Sequence, residues 1–417
     1  MADAGWTWAR THHFGAARLV EATSVDDVIA AVRAGGPVKA LGTRHSFSAI
    51  ADTSGTLITV TGLAADPVLD ESAPTVTVGA GTRYGELAPW LQERGWALHN
   101  LGSLPHISIG GATATGTHGS GLMLGSLSTA VAGLEYVGAD GEAHRVVRSD
   151  PDFDGMVVGL GSYGITTRIT LDIQPTYDIA QHVYRAVPWD ALLVNSREVF
   201  SAAYSVSVFT QWDEPSIEQV WVKSRVDVDG SLPRAWLDAR RVDVGRTSLA
   251  GGDPAALTPH TGQPGPWLER LPHFRLEFTP SNGDEIQSEY FVPFAQAADA
   301  IRAVRELASD IAPHLHVTEL RTIAAGPLWL SGEFERETLC IHFTWRSHPE
   351  AVAALTPRIE SALAPFAPRP HWGKVNSLSH AAIASAHPRL ADARALFGGI
   401  DPEGRFRSEH LEGVGIR

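Results

Sequence analysis

Apolar and polar residues alternate along this chain in two periods, and the switches between them mark its elements. From Ser24 to Ala34 the apolar positions Val25, Val28, Ile29 and Val32 recur at helical spacing. Ser24 caps that helix, Asp27 completes a capping box, and Gly35 stops it. The apolar run Val38 to Leu41, with Lys39 inside it, then predicts a buried strand, and Thr56–Val60 and Thr75–Val78 are β-branched strand candidates. Tyr84 to Arg94 reads as a helix that must accommodate Pro89. Ala132–Val137 and His144–Val147 flank Ala139-Asp140-Gly141, a hairpin signal. Residues 152–164 start helical and end in glycines before a strand at Ile165–Ile173, and Gln174-Pro175 closes this first unit.

Beyond residue 175 the texture changes. Strand-like runs at Ala203–Thr210 and Gln219–Val226 precede Gly245–Pro266, which is dense in Gly, Pro and Thr without periodicity and predicts a long surface loop. Phe294–Leu307 and Pro349–Leu363 carry helical stripes, the second with Pro357 placed to break it in two. Thr318–Thr322 (TELRT) and Ile341–Trp345 (IHFTW) predict short strands. On a strand Glu319 and Arg321 share one face, as do His342 and Thr344. Paired with those faces aligned, the strands would present a carboxylate, a guanidinium, an imidazole and a hydroxyl, a binding wall for a hydroxylated compound. On spacing alone, an exposed ion pair beside an ordinary strand explains the same residues. His371 and Lys374, beside Trp372 and Gly373, read by themselves as surface packing.

Composition narrows the function. A chain of 417 residues exceeds what one core usually serves, so two domains are expected. The formal charge of -14 argues against nucleic acid as a partner and leaves a small molecule such as a polyol open. Cys340 is the one cysteine, so no intrachain disulfide forms and a cysteine-based zinc site is not expected. His12-His13 and the pair His314 and His316 read as solvated groupings, and no metal is predicted. The first fifteen residues lack an apolar signal region and no run approaches the ~18 apolar residues of a membrane span, which predicts a cytoplasmic protein with no membrane partner.

Three glycine-rich stretches carry the candidate chemistry. Leu41–Phe47 (LGTRHSF) breaks a strand at Gly42 and presents a histidine in a polar turn. Val76–Arg83 (VTVGAGTR) turns on Gly79 and Gly81. Asn100–Gly121 (NLGSLPHISIGGATATGTHGSG) contains no Asp, Glu, Lys or Arg. Backbone N–H groups and hydroxyls in such loops suit a diphosphate. Any one of them alone reads as a turn between strands; together they point to a phosphate-bearing cofactor.

These stretches, with AAYSVSVFT, LPHFRLEFTP, QSEYFVP, ELRT, HFTW and RPHWGK, resemble the vanillyl-alcohol-oxidase-like flavoproteins, and among them the bacterial alditol oxidases, nearly end to end. The resemblance implies an α+β, two-domain FAD-binding fold with a central substrate domain built on an antiparallel sheet. It implies a FAD-binding domain over 1–175, a substrate domain over 176–366 and a C-terminal segment, 367–417, returning to the first. It implies FAD attached covalently through His45, with Leu41, Gly42, Thr43, Arg44, Ser46 and Phe47 around it. Ser103, Ser108, Gly111, Ala112, Thr113, Ala114, Thr115, Gly116, Thr117, His118, Ile165 and His371 would complete the cofactor site. Ser103, Gln287, Glu319, Arg321, Thr344 and Lys374 would bind a polyol, and Lys374, Arg321 and His342 would carry the chemistry. The implied reaction oxidises a terminal CH–OH with oxygen as acceptor, in a monomer. The alternative is a dehydrogenase with another acceptor, because Gly102 stands where alditol oxidases carry alanine, a position thought to influence oxygen access. Arg44 also replaces a smaller residue.

Overall fold

The computed structural model describes residues 4–417 except 231–232, 243–244, 248 and 279–283. Thr279 and Pro280, the end of the LPHFRLEFTP stretch, therefore lie outside the described residues. Near the amino end, strands β1 (Arg18–Glu21), β2 (Val38–Leu41) and β3 (Thr56–Thr59) pair in parallel in the order β1-β3-β2. Helix α1 (Val25–Arg33) covers them with Val28, Ala31 and Val32, which pack with Val38 and Ile58. Its capping box forms as the sequence predicts, Ser24 Oγ accepting from Asp27 N at 3.2 Å and Asp27 accepting from Ser24 N at 2.9 Å.

A second, antiparallel sheet follows, made of β4 (Val68–Asp70), β5 (Thr75–Gly79), β6 (Val131–Val137), β7 (Ala143–Val147) and β8 (Ile165–Asp172) in the order β4-β5-β8-β6-β7. Helix α2 (Tyr84–Gln92) and the short helix α3 (Ile109–Ala114) pack on it through Leu87, Leu91, Ile109 and Ala112. The glycine-rich stretch 100–121 thus runs between this sheet and the rest of the molecule.

The central sheet is antiparallel: β9 (Asp178–Pro188), β10 (Ser205–Thr210), β11 (Ser216–Arg225), β12 (Glu285–Pro293), β13 (Leu315–Ile323), β14 (Thr338–Arg346) and β15 (Arg369–Pro370) run in the order β9-β11-β10-β13-β14-β12-β15. Alternation decides its two faces. Ile286, Tyr290, Leu320, Ile341, Phe343 and Trp345 face helices α4 (Ala297–Arg305) and α5 (Pro349–Leu363), which bury Ala300, Ile301, Val304, Val352, Leu355 and Ile359 against them. The polar residues between them face the other way, toward the glycine loops.

Two expectations fail here. Pro357 does not divide α5: the helix runs unbroken through it, with Pro357 and Ala353, four residues before it, both on the exposed face. Residues 245–266 are not a plain surface loop, because Leu249 and Leu257 are buried with Val183, Phe209, Trp221 and Val317, and Gln181 Nε2 donates to Pro259 O at 3.0 Å.

After β15, the chain packs on the amino-terminal sheets. Helices α6 (His380–Ala386) and α7 (Leu390–Ile400) bury Ile383, Leu390, Ala393 and Phe397 in the same core as Val76, Leu87 and Phe153. Val38 N donates to Arg405 O at 2.7 Å, and Phe406 joins the α1 core. Among the described residues no helix is long and apolar enough to cross a membrane.

Candidate active site

A cavity of about 440 Å³ lies between the polar face of the central sheet and the glycine loops. Its wall is built from strand register. Glu319 on β13 stands directly opposite His342 on β14, and on the other side of β14 His342 faces Glu289 and Thr344 faces Gln287 of β12. Gln287, Glu289, Glu319, Arg321, His342 and Thr344 therefore share one face and all line the cavity. His371 and Lys374 arrive along the outer edge of β12, where His371 N donates to Glu289 O (3.0 Å) and Val375 N to Gln287 O (2.9 Å). From there Gly373 O accepts from Phe47 N at 2.6 Å, which ties the sheet to the His45 turn.

The charges on this wall are paired with one another. The Glu289 side chain is 0% exposed, with Lys374 Nζ at 2.6 Å, Arg321 at 2.8 Å and His118 Nε2 at 3.2 Å. Burial works to raise its carboxyl, but these cations outweigh burial and hold it well below the usual carboxylate range. Glu319 is held low in the same way, burial being outweighed by Arg321 and His273; its Oε1 accepts from His273 Nε2 at 2.7 Å. Lys223, buried behind His273, approaches that ring's Nδ1 at 3.1 Å. Burial, then Lys223, lowers the ring to a pKa of about 4, and a carboxylate only accepts, so Nε2 carries the hydrogen aimed at Glu319 and Nδ1 the lone pair.

The same logic fixes His342. Its Nδ1 lies 3.2 Å from an Arg321 nitrogen and 3.3 Å from Lys374 Nζ, both donors only. The ring is therefore neutral, its hydrogen on Nε2, 3.4 Å from Thr344 Oγ1. Burial, reinforced by Lys374, keeps it neutral by pushing its pKa well below 6.5. Burial also lowers the Lys374 pKa, against the pull of Glu289. Arg321 Nε makes no hydrogen bond but lies 3.5 Å from Glu319 Oε2, and an Arg321 amino group reaches Ser103 Oγ only at 3.5 Å.

The opposite wall carries no carboxylate, and its Arg44 turns its guanidinium away to Ala4 O. Leu41 to Phe47, Ser103, Ser108, Gly111, Ala112, Ala114, Thr115, Thr117 and His118 line it. Ser108 N donates to Thr43 Oγ1 at 3.1 Å, locking the two loops together. A Cβ on Gly42 would stand 2.6 Å from Ser108 Oγ, so a larger residue there would turn that hydroxyl to another rotamer. His45 Nδ1 is buried without a hydrogen-bond partner, and burial first, then His106 and Arg83, lower the ring to a pKa of about 4. A neutral imidazole with an unspent nitrogen, beside a neutral glycine cradle, fits attachment of a flavin and the seating of its diphosphate.

Arg44 gains an account here. Its φ is +65°, its guanidinium donates to Ala4 O at 2.5 Å, and its carbonyl accepts from Trp8 N at 2.8 Å. That clamp lays Trp8 on the His45 ring, centroids 5.4 Å apart and planes 21° apart.

Three expected cofactor residues do not line the cavity. Thr113 turns its hydroxyl back to Ile109 O at 2.9 Å, Gly116 takes a left-handed turn at φ +70°, and Ile165 is buried in the α1 core. His118 lines the cavity but turns its Nε2 toward Glu289. Glu289 and His273 do not stand out in the sequence. Glu289 could have been found by alternation from Gln287 two positions earlier, whereas His273 lies in an irregular stretch with no such signal.

Residues 16–147 match the FAD binding domain family, and residues 282–414 match the family described as D-arabinono-1,4-lactone oxidase. An alditol oxidase of Streptomyces sp. (strain IKD472 / FERM P-14339) is 44% identical over 397 residues, covering 94% of this chain and 94% of its own. The L-gulono-1,4-lactone dehydrogenase of Mycobacterium tuberculosis is 28% identical, again over 94% of each chain. Among solved structures, cholesterol oxidase from B. sterolicum superposes with a TM-score of 0.79 at 16% identity, over 99% of this chain and 97% of that one. Xylooligosaccharide oxidase from Myceliophthora thermophila C1 gives a TM-score of 0.74 at 15% identity, over 98% and 93%. At those identities the likeness is one of fold.

Proposed function

The chain belongs to the alditol oxidase family of FAD-dependent flavoproteins, and on that footing we propose that it oxidises the terminal CH–OH of an alditol to the aldose, with oxygen reduced to hydrogen peroxide. The observation that carries the reading is the convergence of Lys374, Arg321 and a neutral His342 on one sheet face, across a single cavity from the His45 turn.

FAD, attached at His45 and seated on the 41–47 and 103–118 loops, supplies the two-electron acceptor when bound. The sheet wall does the rest. Arg321 and Lys374 place positive charge where a substrate hydroxyl becomes an alkoxide, a stabilisation worth most in a buried site. The proton leaves that hydroxyl into the same hydrogen-bonded set, in which Nδ1 of His342 is the basic atom among donors. Glu319, with Oε1 taken by His273 and Oε2 3.5 Å from Arg321 Nε, offers Oε2 to the hydroxyls of the polyol chain, alongside Ser103, Gln287 and Thr344. A row of such donors and acceptors suits a ligand with a hydroxyl on every carbon.

The test is oxidation of xylitol and sorbitol under air, with peroxide counted against substrate consumed. One peroxide per oxidation supports an oxidase. Polyol oxidation that needs an added dye, with no peroxide, would assign a different acceptor.

A further inference from the structure

Three segments far apart in sequence meet at one carboxylate that the mechanism above does not use. His118 comes from the glycine-rich loop, Arg321 from β13 and Lys374 from the carboxyl-terminal segment, and each places a nitrogen within 3.2 Å of Glu289. The two carboxylate oxygens divide the work. Oε1 takes Arg321 and His118, while Oε2 takes Lys374. His118 Nδ1 meets Gly119 O at 2.8 Å, and its Nε2 stands 3.2 Å from Glu289 Oε1. Cys340 Sγ completes the surroundings, and His118, Glu289 and Cys340 have their potential ligand atoms within 4.8 Å of one another. A metal ion there would have to displace two bound cations from the carboxylate, so the cluster is better described as an ion network.

We propose that Glu289 is the positioning residue of the active site: one buried anion that draws Lys374 and Arg321 together beside His342, with His118 of the cofactor loop set against it. Without it, Lys374 and Arg321, both within 3.3 Å of His342 Nδ1, would repel each other, and neither would keep its aim at the substrate hydroxyl. The proposal rests on the polyol oxidase reading only for its kinetic readout.

The charge effect has a definite sign. The groups facing Lys374 are Glu289 from β12, Glu319 and Arg321 from β13, His342 and Cys340 from β14, and His118 and His371 from the adjoining segments. Of these, Glu289 is the main one holding the ammonium protonated, against burial and Arg321. Neutralising it makes Lys374 release its proton at lower pH.

The experiment compares holoenzyme of the wild type with Glu289→Gln and Glu289→Asp, recording FAD content, kcat, KM and the pH profile. Glu289→Gln should keep its FAD and lower kcat about 100-fold, with a much smaller change in KM. Its alkaline limb should move about one unit toward acid. Glu289→Asp should recover part of kcat and most of the limb. Should the amide variant not accumulate, the aspartate variant is read alone, an intermediate kcat and a displaced limb supporting the proposal. Wild-type kcat and pH profile in either variant would overturn it, as would failure of both to fold, since the role assigned is local. If the wild type itself does not turn over polyols, the polyol reading fails by itself. The acid shift of the Lys374 titration, followed by flavin absorbance without substrate, then decides the role of Glu289.

Discussion

The two walls of the cavity are built on opposite principles. On the sheet side the charged groups Glu289, Arg321, Lys374 and Glu319 pair with side chains lining the same cavity; on the loop side there is no charged residue from Asn100 to Gly121, and His45 keeps a buried nitrogen unpaired. A wall that satisfies itself is rigid before any ligand arrives, so its dipoles need not reorganise when charge develops. A neutral glycine cradle with an unspent imidazole is suited to closing on a group it binds.

The contrast is broken most severely by removing a cation from the charged wall. Lys374→Met should retain flavin and lose about 1000-fold in kcat, measured by oxygen uptake with xylitol. Glu319→Gln keeps the shape but weakens the acceptor offered to the polyol, so KM should rise about 30-fold, the size of one charge-assisted hydrogen bond, while kcat moves less. On the loop side, His45→Ala should leave flavin in the native protein when FAD is supplied, yet give a colourless pellet after acid precipitation.

Acidity sharpens the comparison without mutation. His45, His273 and His410 have folded pKa values depressed to about 4, burial being the first cause in each. The unfolded chain binds protons at these rings from about pH 6.5 downward. Stability is therefore present above that pH and is lost as pH falls toward 4, with the buried carboxylates adding loss of the same sign below it. Thermal melts should show Tm falling steadily across that window. The smallest effect is expected at Gly102, where an added Cβ meets only His118 O at 3.7 Å, Ile107 at 3.8 Å and Leu127 at 3.9 Å. Gly102→Ala should shift stability by no more than about 0.5 kcal/mol. Its effect should fall on reoxidation by oxygen and not on reduction by the polyol, a split visible in stopped-flow traces.

The loop wall was far more legible in the sequence than the sheet wall, and the reason is physical. A backbone that approaches a ligand or a neighbouring loop closely leaves a local trace, because only glycine and small hydroxyl residues permit it, as at Gly81, where a Cβ would stand 2.0 Å from Val60 O. The sheet wall depends on register that pairs Glu319 with His342 and Gln287 with Thr344, residues 23 and 57 positions apart. TELRT and HFTW predict which residues share a face, but not that Glu319 stands opposite His342 or that Glu289 lies beyond it. The positions of His273 and Lys223 behind Glu319 follow from tertiary packing, as does the burial of Leu249 and Leu257 within Gly245–Pro266, whose Gly, Pro and Thr content predicts a surface loop. Composition reports backbone freedom well and burial poorly.

The central claim is that the charged sheet wall acts directly on a substrate lying against the flavin held by the loop wall. Anaerobic mixing of wild-type and Lys374→Met holoenzyme with xylitol, followed by flavin absorbance, tests it most directly. The account predicts rapid bleaching in the wild type and an unbleached, fully loaded flavin in the variant over the same time. Equal bleaching rates in the two proteins would contradict it.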